Sequence, residues 1–157
     1  MLETNYSPFQ SLKLISLDYY FDEMVKLYET EKLPRIMLLN GKKGIGKFTL
    51  VIHLINFIFS KNEKTLYNLK DKSIDINSLF YNLLLKKNTQ DVIFIKAEEN
   101  KNIKIEDIKS LKSIISKSSL SKKPRFIIID EVEFLNTNSV NALLPSLPVL
   151  YNSIIAK

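Results

Sequence analysis

The sequence predicts an α/β fold with a parallel sheet and flanking helices, and three observations carry that prediction. Short, wholly apolar runs alternate with longer stretches of helical periodicity along the chain. A glycine loop joins the first apolar run to the most apolar helical stretch. An acidic pair closes the third apolar run, at the kind of strand end where open parallel sheets gather ligands.

The elements follow in order. Residues 17–31 carry Phe21, Met24, Val25 and Tyr28 at the i, i+3, i+4, i+7 spacing of an amphipathic helix, with Ser16 as its N-cap. Leu33-Pro34 ends that helix. IMLL (36–39) is apolar at every position, the pattern of a strand buried on both faces. Residues 47–60, KFTLVIHLINFIFS, are apolar nearly all round and read as a buried helix. The polar stretch 61–75 sets no element, and a short helix covers 78–87. DVIFIKA (91–97) is a second strand. Glu106 to Ser118 places Ile108, Leu111, Ile114 and Ile115 on one helical face. RFIIID (125–130) is a third strand, again apolar on both faces, and Asn138 to Leu144 starts another helix.

The bulk composition bounds the function. A chain of 157 residues with 45% hydrophobic and 25% charged residues is long enough and apolar enough for one domain with a core. No apolar run approaches the ~20 residues of a membrane span, and MLETNYSPFQ lacks the layout of a signal peptide. With 0 Cys there is no disulfide framework and no thiolate zinc site. The net charge of +6 comes from 21 Lys against 2 Arg, scattered among 20 Ile and 14 Asn. Base contacts favour Arg, and scattered lysines describe a solvated face, so charge gives direct DNA binding only weak support.

All 3 glycines of the chain, Gly41, Gly44 and Gly46, fall within six positions. Gly41-Lys42-Lys43-Gly44-Ile45-Gly46-Lys47 fits G-x-x-x-x-G-K, placed after a predicted strand and opening a predicted helix. Glycines let backbone N–H groups turn inward around a phosphate, the helix N-terminus adds partial positive charge, and Lys47 reaches the β- and γ-phosphates. Phe48 stands where the motif's Ser/Thr gives an oxygen to Mg²⁺. Thr49 comes one residue late, and one helical step rotates a side chain by about 100°. The second constellation is RFIIIDEVE, where Asp130 would hold Mg²⁺ and Glu131 would polarise an attacking water. His53, alone in the apolar helix, reads as a packed histidine rather than a catalyst.

With GKKGIGKFTL, DVIFIKAEENKNIKIEDIKSL and RFIIIDEVEFLNTNSVNALL in this order, the chain resembles the delta-prime subunit of bacterial DNA polymerase III, a clamp-loader member of the AAA+ group. The resemblance spans about residues 33–144, and NTNSVNALL (136–144) is its most specific piece. It implies a P-loop NTPase fold of AAA+ type. Gly41 to Lys47, with Phe48 and Thr49 beside them, would be the Walker A loop, and Asp130 and Glu131 the Walker B acids. It also implies a cytoplasmic, bacterial accessory protein of replication that works with other clamp-loader subunits and, through them, with a sliding clamp and primed DNA. Delta-prime members commonly have degenerate nucleotide sites, which with Phe48 implies an ATP/Mg²⁺-type site with weak or absent hydrolysis. An active AAA+ ATPase and a truncated, non-functional remnant are the alternatives.

Three departures from the family pattern shape further expectations. Where many members carry a four-cysteine module, residues 61–90 hold no cysteine, so no zinc is expected. No counterpart of the S-R-C motif, which bears the family's arginine finger, occurs. After Leu144 the family's Lys-x-Leu-Glu-Glu-Pro gives way to PSLPVLYNSIIAK, with Pro145 and Pro148 breaking the helix. The expectation is therefore an AAA+-like portion over 1–144 and an aberrant, non-family tail over 145–157. Of the family's strand order 5-1-4-3-2 only strands 1, 2 and 3 are expected, with an open place where strand 4 would lie.

Overall fold

The computed structural model describes residues 7–61, 63–89, 91–96, 125–143 and 152–156. They form a mixed α/β protein whose chain divides into two compact units, one of Met1–Leu33 with Lys43–Thr89 and one of Pro34–Lys42 with Gln90–Lys157. The division crosses the glycine loop between Lys42 and Lys43.

The first unit is helical. A 3-10 turn, Pro8–Gln10, leads to α1, Asp18–Glu29. The expected spacing holds: Phe21, Met24 and Val25 are buried. The expected cap does not. Leu17 occupies the cap position without a side-chain bond, and Ser16 takes φ +61°, a left-handed turn incompatible with the extended backbone of a serine cap. Helix α2, Lys47–Ser60, is buried at every residue from Leu50 to Ser60, as its all-round apolarity predicts. Phe21 stacks on Tyr67 at 5.2 Å and meets Phe57 edge-on at 6.3 Å, and Phe59 stacks on Phe80 at 4.5 Å. Full burial of each such ring contributes roughly 1.5–3 kcal/mol.

Helix α3, Leu79–Leu85, starts at Ser78, whose hydroxyl accepts from the Tyr81 N–H. The Glu63 carboxylate adds to that cap, accepting from the N–H groups of Leu79 and Phe80 and from the Ser78 hydroxyl. The stretch without a predicted element is thus pinned through its side chains. It also pairs with the N-terminal segment, through Leu14 N–H to the Lys72 carbonyl and Ile74 N–H to the Leu12 carbonyl.

The second unit holds a parallel sheet of β1 (Ile36–Leu39), β2 (Val92–Lys96), β3 (Phe126–Asp130) and β4 (Asn152–Ala156), in the order β1-β4-β3-β2. The fourth strand corrects the expectation of three. The place between β1 and β3 is filled, with Ile36 paired to Ser153 and Ile127 to the same residue from the other side. The physical reason is simple: prolines stop a helix but not a later strand, and NSIIA carries two adjacent β-branched isoleucines.

Strand β3 is buried from Phe126 to Ile129, as its apolar run predicts for a strand with neighbours on both edges. Strand β1 departs from the same expectation. It ends the sheet, and Ile36 and Leu38 are 44% and 59% exposed while Met37 and Leu39 are half-buried. Helix α4, Thr137–Leu143, follows a 3-10 turn at Val132–Phe134, and the Asn136 side chain accepts from the Ser139 N–H at its start. The helix expected over 106–118 lies outside the described residues.

Candidate functional site

The residues singled out by the sequence fall into two groups, each within one unit. Lys43 to Thr49 belong to the helical unit; Gly41, Lys42, Asp130 and Glu131 belong to the sheet unit.

In the helical unit the loop turns at Lys43–Gly44 and bends at Ile45–Gly46 before α2 begins at Lys47. Gly44 and Gly46 take φ +82° and +93°, backbone that L side chains rarely adopt, which is the physical reason for glycine at both places. Their surroundings differ. A Cβ on Gly44 would meet nothing within 4 Å, whereas one on Gly46 would lie 3.1 Å from Leu17 Cδ1. The Gly46 carbonyl accepts from the Leu50 N–H, closing the first turn of α2. Phe48, half-buried in that turn, meets the ring of Phe9 edge-on with centroids 5.5 Å apart. The motif's metal-ligand position is thus a hydrophobic clasp for the Pro8–Gln10 turn. Phe9 has no signal in the sequence that would tie it to the loop.

One turn deeper, His53 is fully buried. Its Nε2 lies 2.8 Å from the Ser11 carbonyl, which can only accept, so Nε2 carries the proton and Nδ1 accepts from the Tyr67 hydroxyl at 2.8 Å. Burial pulls the imidazole down to about 4, against the opposing pull of the Ser11 carbonyl. Burial, with Asp18 and Asp22 adding to it, pushes the Tyr67 hydroxyl above its ordinary value. The histidine is a neutral, packed strut.

In the sheet unit, Gly41 and Lys42 follow β1, and Asp130 ends β3. Because β1, β4 and β3 run parallel, both points lie at the same edge of the sheet with one strand between them. Asp130 emerges from four buried residues, and both of its oxygens have partners in the chain. Oδ1 accepts from the Glu131 N–H at 3.1 Å, and Oδ2 lies 3.7 Å from Lys96 Nζ. Lys96 ends β2 directly beside Asp130 in the strand register. Glu131 takes φ +56°, a left-handed conformation uncommon for a residue with a side chain.

Mg²⁺, which the motifs imply, requires a near-octahedral shell of oxygens. The residues present fit that demand poorly. Phe48 offers a ring in place of an oxygen, and the carboxylate of Asp130 already faces an ammonium group. Among the described residues no group of three or more His, Cys, Asp and Glu side chains could hold a metal ion, and no helix is long and apolar enough to cross a membrane. Lys96 is the residue that sequence reasoning missed; its strand was read, but its register against Asp130 has no sequence signature.

Comparison with known proteins bears on what such a chain is. A family model described as "DNA polymerase III, delta subunit" matches residues 18–148. No curated protein matches the chain. Among solved structures, C. elegans PCH-2 is similar at 18% identity and a TM-score of 0.42, covering 96% of this chain and 39% of that one. The chain thus spans well under half of that structure's length, and a likeness at this level carries no argument about function. The family match spans most of the sequence and takes in the glycine loop, the acidic strand end and NTNSVNAL: the chain belongs to the DNA polymerase III delta-subunit family.

Proposed function

We propose that the chain acts as an accessory, delta-prime-like component of a bacterial clamp loader, in the cytoplasm, and that its glycine loop binds ATP without efficient hydrolysis. The family match over 18–148 supports the replication role. The observation that carries the weak hydrolysis is Phe48, whose ring packs on Phe9 at the position where a hydroxyl would hold Mg²⁺. The left-handed backbone of Gly44 and Gly46, of the kind a phosphate cradle uses, supports the binding half of this reading. The partners on this reading are the other clamp-loader subunits, with the sliding clamp and primed DNA reached through them.

The test is assembly. The full chain mixed with the remaining clamp-loader subunits co-elutes with them on size exclusion, with and without ATP. Failure to co-elute while the chain unfolds cooperatively on heating would count against the clamp-loader role. Failure of cooperative unfolding would instead favour a non-functional remnant.

A further inference from the structure

We propose that Lys96 is the resident counter-charge of Asp130, and that its ammonium group keeps divalent cations off the acidic end of β3. This deepens the reading of weak hydrolysis and rests on it.

The geometry comes from the strands. Lys96 and Asp130 are register partners on adjacent parallel strands, so their side chains leave neighbouring backbones about 4.8 Å apart. The ammonium lies 3.7 Å from Asp130 Oδ2, and the other oxygen is held by the Glu131 N–H. The carboxylate is the less solvated member: its side chain is 22% exposed, against 65% for Lys96. A carboxylate rising from four buried apolar residues gains from a nearby positive charge, and a lysine's flexible stem can place a compact charge there. A divalent cation arriving at the same carboxylate meets the ammonium's repulsion and must shed part of its own hydration. The chain's own lysine therefore holds this carboxylate against metal.

The experiment is a Mn²⁺ titration of the full chain without nucleotide, read by the loss of the free-ion electron paramagnetic resonance signal. Four proteins are compared: wild type, Lys96→Met, Lys96→Arg, and Lys96→Met combined with Asp130→Asn. The wild type and Lys96→Arg bind Mn²⁺ weakly, Lys96→Met gains at least tenfold in affinity, and the double variant loses that gain. Unchanged affinity in Lys96→Met, or a gain that survives Asp130→Asn, overturns the proposal. Circular dichroism checks the fold, and Lys96→Gln replaces Lys96→Met should the latter misfold. Steady-state ATP turnover is measured separately. Turnover by the wild type breaks the weak-hydrolysis reading, whereas an unchanged Mn²⁺ titration breaks the Lys96 assignment even where turnover is absent.

Discussion

The glycine loop and the acidic strand end depart from their motifs in opposite ways. The loop has left-handed glycines, Gly44 and Gly46, and an aromatic ring at the motif's hydroxyl position: Phe48 clasps Phe9. The strand end has the motif's acids, Asp130 and Glu131, with Lys96 beside them. A ring at a hydroxyl position is written in one position of the sequence. A lysine beside a carboxylate is written in the register between two strands, at residues 34 positions apart, Lys96 and Asp130. The first feature can be read from a motif; the second needs the fold.

The largest expected effects sharpen the loop side of this contrast. His53 keeps a folded value of about 4 against 6.5 when exposed, so between these pH values the unfolded chain binds the extra proton. Its contribution is fully present above pH 6.5 and is lost as pH falls toward 4, by about 3 kcal/mol in all. Urea unfolding at a series of pH values measures this. The slope attributable to His53 disappears in His53→Leu. No change in stability between pH 7 and 5 would mean that the histidine is not the buried neutral strut.

Next come the two glycines. Gly46→Ala strains the backbone and brings a methyl to 3.1 Å from Leu17, which predicts a loss of about 2–3 kcal/mol. Gly44→Ala meets open space and loses only the backbone part, about 1 kcal/mol. Thermal unfolding of the pair distinguishes steric contact from backbone strain; equal losses would show that Leu17 does not brace the loop.

Phe48→Thr restores the hydroxyl and removes the ring contact with Phe9, at a loss of about 1 kcal/mol in stability. Phe9→Ala shows a similar loss, and the double variant loses less than the sum. Strict additivity would sever the two rings. Smallest is Lys96→Met, which changes stability by less than about 1 kcal/mol because the pair is largely exposed on the lysine side. Its consequence appears in metal binding rather than in unfolding.

Much of the fold is legible in the sequence, for identifiable reasons. The helix α2 announces its burial because no face of KFTLVIHLINFIFS offers water a polar stripe. IMLL carries the same signal, yet Ile36 and Leu38 are exposed, because apolarity states a preference while burial depends on which neighbours the topology supplies at a sheet's end. Strand β4 is hidden behind Pro145 and Pro148, which read as a break in the family pattern although NSIIA, beginning four positions after Pro148, suits a strand. At the candidate site, the glycines and acids follow from short motifs. Phe9 and Lys96 do not, since one arrives by the path of the N-terminal segment and the other by strand pairing.

Binding of a fluorescent ATP analogue to the full chain, measured beside steady-state phosphate release in Mg²⁺, separates nucleotide binding from hydrolysis. The expected result is saturable binding that Lys47→Ala abolishes, with phosphate release no faster in the wild type than in Lys47→Ala. Magnesium-dependent release that Lys47→Ala abolishes would contradict binding without efficient hydrolysis.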